Sequence, residues 1–192
     1  MRIYQVSAAA GFACAALLVV NAARRGGFLP ETAFTHAIAP FAALTGLFAI
    51  VGIYLLIRDS AGGLGLAGFV LNAAGLTGAF AVEYILHFVF PYLDRPVVTG
   101  LLAATTGRAF LVTSMILILG VLAFSAAAIR SRAMDVPAVV LYAAGMMPGS
   151  LRNLVPEPVY LGGLVVAAIG VAWMARRLWL TGRTVPALAP AA

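Results

Sequence analysis

Glu83 is the one carboxylate inside a long apolar run of this chain, in Ala81-Val82-Glu83-Tyr84-Ile85-Leu86-His87. A charge near the centre of a bilayer costs about 2.5–3.5 kcal/mol on insertion scales, so it faces protein or water and keeps a partner. At helical spacing Asn72, Leu76, Ala79, Glu83 and His87 share one stripe, with Glu83 and His87 at i, i+4. With His36, the other histidine of the chain, they make a set of two imidazoles and a carboxylate. Such a set can hold a divalent metal, or the two histidines can be the axial ligands of a haem between helices. Glu83 could also shuttle a proton. The competing reading pairs Glu83 with Arg108 in a structural ion pair and leaves the histidines and Tyr92 as amphipathic residues at the lipid headgroups. Asn72 most simply makes an interhelical hydrogen bond worth about 1 kcal/mol; with Glu83 it could instead form a polar path for a solute.

These residues meet only if the elements carrying them fold back on each other. The polar stretch Arg58-Asp59-Ser60-Ala61-Gly62-Gly63 has the Gly and Ser chemistry of a tight turn between antiparallel helices. From that turn His36 lies 21 residues back from Ile57, and His87 lies 23 on from Leu64. At 1.5 Å per residue the two histidines reach the same depth within one helical turn. Arg108 begins the next run at that face, with Glu31, Asp94, Arg95, Arg152 and Glu157 in its loops. The register therefore gathers His36, Glu83, His87 and Arg108 at one end of the molecule.

Six apolar runs supply the elements: about 4–23, 34–57, 64–90, 109–129, 133–147 and 159–174. The first is long enough to span and reads as a retained helix, although a signal peptide has a similar pattern. The stretch 97–107 is too short to span and suits the interface. The fifth run is short, with Pro137 at its start and Pro148-Gly149 interrupting it. Trp173 and Trp179 suit an aromatic belt, and the Pro- and Ala-rich residues 184–192 read as a disordered tail after a single bundle domain over 1–183. Ala74 with Gly78, Gly75 with Ala79 and Gly163 with Ala167 are small pairs four apart, which let helix backbones approach closely in lipid. Thr113, Ser114 and Ser125 read as bonded to their own helix backbone.

Composition sets the class. Of 192 residues 64% are hydrophobic and 9% charged, against about 25% charged in a soluble domain, and the mean hydropathy is +1.07. This pattern is that of an all-α, polytopic transmembrane bundle of six helices, with the lipid bilayer as its main partner. The net charge of +6 comes from 12 basic residues, all arginine. They sit singly or in pairs at the ends of runs, as topology signals do, not in the cluster that nucleic-acid binding needs. Without lysine no retinal Schiff base forms, and the lone Cys14 provides no disulfide or thiol metal site. With six crossings, Arg2, Arg58, Arg130, Arg132, Arg176, Arg177 and Arg183 share the N-terminal side, against Arg24, Arg25, Arg95, Arg108 and Arg152 opposite. Seven against five puts the termini in the cytoplasm.

The block from Leu55-Leu56-Ile57-Arg58 through Gly75-Leu76 to Val82-Glu83 is a helix, a basic Gly-rich turn, then a Gly-rich helix ending in a carboxylate and aromatics. Over about residues 40–95 it resembles small multi-span membrane proteins of unassigned function from high-GC bacteria. That resemblance implies a compact helix bundle in the bacterial plasma membrane and no particular activity. No HExxH, GxSG or DGxxAR pattern is present, so the chain reads as a non-enzymatic binding or accessory protein, alone or with a membrane protein partner or a second copy. The alternatives are a small-solute or ion transporter using Glu83 and Asn72, and a haem- or metal-binding redox subunit using His36, His87 and Glu83.

Overall fold

The computed structural model describes residues 2–152 and 154–184, which are helical almost throughout and contain no strand. The elements are α1 (Arg2–Arg25), α2 (Ala33–Ile38), α3 (Phe41–Phe88), a single 3-10 turn (Phe90–Tyr92), α4 (Arg95–Ala103), α5 (Thr105–Ser131), α6 (Val136–Gly149) and α7 (Glu157–Thr184). Apart from Thr184, which ends α7, the tail 184–192 lies outside the described residues. By length and apolar composition α1, the segment holding α3, α5 and α7 can each cross a membrane. The chain is a membrane protein built as an all-α bundle.

At 48 residues α3 is two membrane-length limbs folded at one glycine. Gly62 has φ 57° and ψ −157°, a combination that is strained for any residue with a side chain. The residues on either side stay helical, so a single backbone inversion makes the turn. Contacts across the limbs step outward in antiparallel register. Tyr54 stacks on Phe69 at 4.4 Å between ring centroids, Phe41 meets Phe80 edge-on at 6.1 Å, and His36, just before α3, meets His87. With α1, the two limbs, α5, α6 and α7, six rods make the bundle. The fifth is the short one: α6 has 14 residues with Pro148 inside it, about 21 Å long.

Two boundaries differ from the apolar pattern. The run 34–57 reads as one helix, but the structure breaks it before Phe41. Thr32 and Thr35 close a capping box on α2, and Pro40 stands at the N-cap of α3, where its missing N–H costs nothing. His36 therefore rides on a separate short helix. The interfacial stretch becomes α4, and the backbone turns at Ala104 (φ −98°, ψ −150°). α5 then starts four residues ahead of the apolar run, leaving Arg108 in its first turn and exposed.

Small residues bring the rods together backbone to backbone. A Cβ on Gly68 would meet the backbone of Phe124, one on Gly75 that of Leu117, and one on Gly120 that of Asn72. This locks the second limb of α3 to α5. Gly145, Gly163 and Gly170 do the same between α6 and α7, while Gly11 and Gly52 seat α1 against Ala175 and Ser7 against the first limb. Such contact is how helices associate where lipid removes the hydrophobic drive. Ser114 does bond its own helix, at Phe110 O (3.1 Å), whereas the buried Ser125 Oγ has no hydrogen-bond partner among the described residues.

Candidate functional site

The end of the bundle away from Gly62 collects polar and charged groups from four helices and two connections. His36 Nδ1 lies 2.8 Å from His87 Nδ1, and His87 Nε2 lies 3.2 Å from Glu83 Oε2. The i, i+4 spacing on α3 makes the second contact, and the Gly62 hairpin makes the first. His87 is buried, His36 half-buried. On the other side of Glu83, Arg152 Nη1 stands 3.8 Å from Oε1, close enough for Coulomb attraction but too far for a hydrogen bond. Arg152 comes from the connection between α6 and α7, outside the spanning segments. Burial pulls its guanidinium below the usual range, while Glu83 opposes that pull.

α1 closes the cluster. Arg24 is buried, its Nη1 3.6 Å from Glu31 and its Nη2 3.4 Å from His87 Nε2. Arg25 donates from Nη2 to Glu157 at 3.3 Å and lies 4.9 Å over the Tyr160 ring. Asn21, one turn earlier, donates to Ala39 O at 3.0 Å. Yet Arg24 Nε, Arg25 Nε and Asn21 Oδ1 are buried with no hydrogen-bond partner among the described residues. At i, i+3 and i+4 these three side chains share one face of α1.

That face lines a cavity of about 130 Å³ in the middle of the bundle. Its walls are apolar, with Leu18, Ile50, Ile53, Leu76, Leu117 and Met174 among them, and its polar residues include Asn21, Arg24, Arg25 and Glu83. A second space of about 410 Å³ lies between the end of α3, the start of α5 and the α6–α7 connection. Glu83, Gly149 and Tyr160 border both. Glu83 is thus one of three residues that stand between the apolar cavity and the adjoining space.

No family model, curated protein or solved structure matches this chain. Its chemistry has to be read from the arrangement itself.

Of the residues singled out by spacing, the structure brings His36, His87 and Glu83 together and leaves two apart. Arg108 is exposed, and no ion pair joins it to Glu83; the guanidinium beside Glu83 is that of Arg152, which in sequence looks like an ordinary loop residue. Asn72 is fully buried about 16 Å along α3 from Glu83 and exchanges hydrogen bonds with the Tyr142 hydroxyl, at 2.8 and 3.2 Å. It ties α3 to α6 and does not line either space. Arg24 and Arg25 look like interfacial anchors in sequence, and only their position beside the hairpin end reveals them as lining residues.

The metal and haem readings do not fit this geometry. His36 and Glu83 engage opposite nitrogens of the His87 ring, so the three groups do not converge on one point. No group of three potential metal ligands forms among the described residues. The imidazoles touch each other, ring centroids 5.0 Å apart and edge-on, which leaves no plane for a porphyrin between them.

Proposed function

We propose that this chain is a non-enzymatic, membrane-embedded binding protein whose central cavity takes a small amphiphile with an anionic oxygen head. The reading rests on one observation: the apolar chamber ends at Arg24 and Arg25, whose buried Nε–H donors lack acceptors among the described residues. Buried donors without partners cost about 1–3 kcal/mol each, and a ligand oxygen would remove that cost. Asn21 Oδ1 beside them would take a hydroxyl donor. A void of about 150 Å³ lined by aliphatic side chains accommodates benzene, so the chamber suits a head with a short apolar stem, and a longer stem needs the groove beyond Glu83. We place the protein in a bacterial plasma membrane, termini in the cytoplasm, so that the site lies at the outer face. The plasma-membrane setting is also that of the multi-span group the 40–95 block resembles.

The transporter alternative draws support from Glu83 standing between two spaces, but Asn72 takes no part in it. Binding is tested on the protein in nanodiscs of neutral lipid by calorimetry with hexanoate, hexylammonium and hexanol. Hexanoate should bind at least about tenfold more tightly than the other two, a difference of about 1.4 kcal/mol. Arg25→Gln should remove that preference. Equal affinity for all three, or a preference that survives Arg25→Gln, would refute the anionic head.

A further inference from the structure

The contacts around His87 contain a contradiction that one proton resolves. Its Nε2 faces a carboxylate oxygen at 3.2 Å, which requires Nε2 to carry hydrogen, and an arginine Nη2 at 3.4 Å, which requires Nε2 to offer its lone pair. A neutral imidazole has one N–H and one acceptor nitrogen, so each contact belongs to a different tautomer. The Nδ1 to Nδ1 contact with His36 holds a single proton, on one ring or the other.

We propose that His36 and His87 form a proton relay between the rim of the bundle and Glu83. In the starting state His36 carries hydrogen on Nδ1 and donates to His87 Nδ1, and His87 donates from Nε2 to the Glu83 carboxylate. A proton from water binds His36 Nε2, which makes no hydrogen bond to the described residues. The Nδ1 proton of His36 then passes to His87 Nδ1, and the Nε2 proton of His87 passes to Glu83 Oε2. At the end one proton has entered, Glu83 is a neutral acid, and both histidines have changed tautomer. The lone pair now on His87 Nε2 first accepts from the new Glu83 hydroxyl, and once that hydroxyl turns away it accepts from Arg24 Nη2, so Arg24 stabilises the loaded state. Imidazole is suited to this because its two nitrogens exchange roles.

Neutralising Glu83 also removes the attraction that holds Arg152, and so alters the partition between the two spaces. The charged and titratable groups facing the relay are Arg24 and Arg25 from α1, Glu31 from the α1–α2 connection, Arg152 from the α6–α7 connection and Tyr160 from α7. The relay goes beyond the binding reading, since it needs no ligand in the cavity.

The test is time-resolved infrared spectroscopy of the full chain in nanodiscs after a drop from neutral to acidic pH. A carboxylic acid C=O band should rise and be missing in Glu83→Gln. In His36→Phe the band should rise at least about tenfold more slowly, and added imidazole should restore the rate. Absence of a Glu83 band, or a rate unchanged in His36→Phe, would overturn the relay. If that variant does not fold, nitrogen NMR of the wild-type rings decides. Both histidines should switch tautomer together as Glu83 protonates, whereas independent titration of the two rings would overturn the proposal.

Discussion

Glu83 is held by two groups of different kind, an imidazole at hydrogen-bond distance and a guanidinium at 3.8 Å. The half-buried pairing has a measurable consequence that separates Arg152 from Arg108. In a double-mutant cycle of Glu83→Gln with Arg152→Gln, unfolding in detergent should show coupling toward the lower end of the roughly 0.5–3 kcal/mol range for contacting residues, because no hydrogen bond joins the two. The cycle with Arg108→Gln should be additive. Coupling to Arg108 instead would mean that α5 starts in a different register from that described. The histidine contact was legible from sequence because it depends on counting residues from a turn, and the count is indifferent to detail. The arginine was not. Which loop folds onto a half-buried carboxylate depends on where α4 ends and α5 begins, and a bend at Ala104 leaves no compositional trace.

At the scale of elements, the α3 hairpin depends on one residue. Gly62 adopts its positive φ in open space, where a Cβ would meet no atom within 4 Å, and Gly63 is equally open but needs no special backbone. Gly62→Ala should therefore destabilise the bundle by about 1–3 kcal/mol through backbone strain alone, while Gly63→Ala should be neutral or slightly stabilising. Equal effects in thermal unfolding would show that packing, and not conformation, sets the turn. The existence of six rods is legible from the apolar runs, since crossing a bilayer demands about 20 apolar residues whatever the packing. The breaks are less so: Pro40 lies within an apolar run that continues on both sides of it, which hides the short α2. Glycine spacing points to close packing without naming the partner. Only the fold shows that Gly75 and Gly120 belong to one interface and Gly145 and Gly170 to another.

For the whole molecule, the antiparallel order of six rods places the Gly62 turn and the charged cluster at opposite ends, and that geometry makes sidedness a single yes-or-no property. Every connection between rods alternates ends, and the short α6 is anchored at both. Asp135, before α6, accepts from Trp173 Nε1 at 3.1 Å, and Arg152, after it, faces Glu83. α6 thus runs from one end to the other, which keeps Arg176, Arg177 and Arg183 on the side of Arg2 and preserves the seven-to-five arginine balance. The single cysteine makes this testable, because Cys14 is buried and a Cys14→Ser background leaves no thiol. Ser60, in the turn, and Tyr92, beyond the end of α3, are both exposed. In intact cells an impermeant maleimide should label Tyr92→Cys and spare Ser60→Cys until the membrane is opened. Labelling of both from outside would break the hairpin assignment. Labelling of Ser60→Cys alone would keep the bundle but invert it, bringing the His36–His87–Glu83 relay to the cytoplasmic face, where it would draw protons from the cell interior.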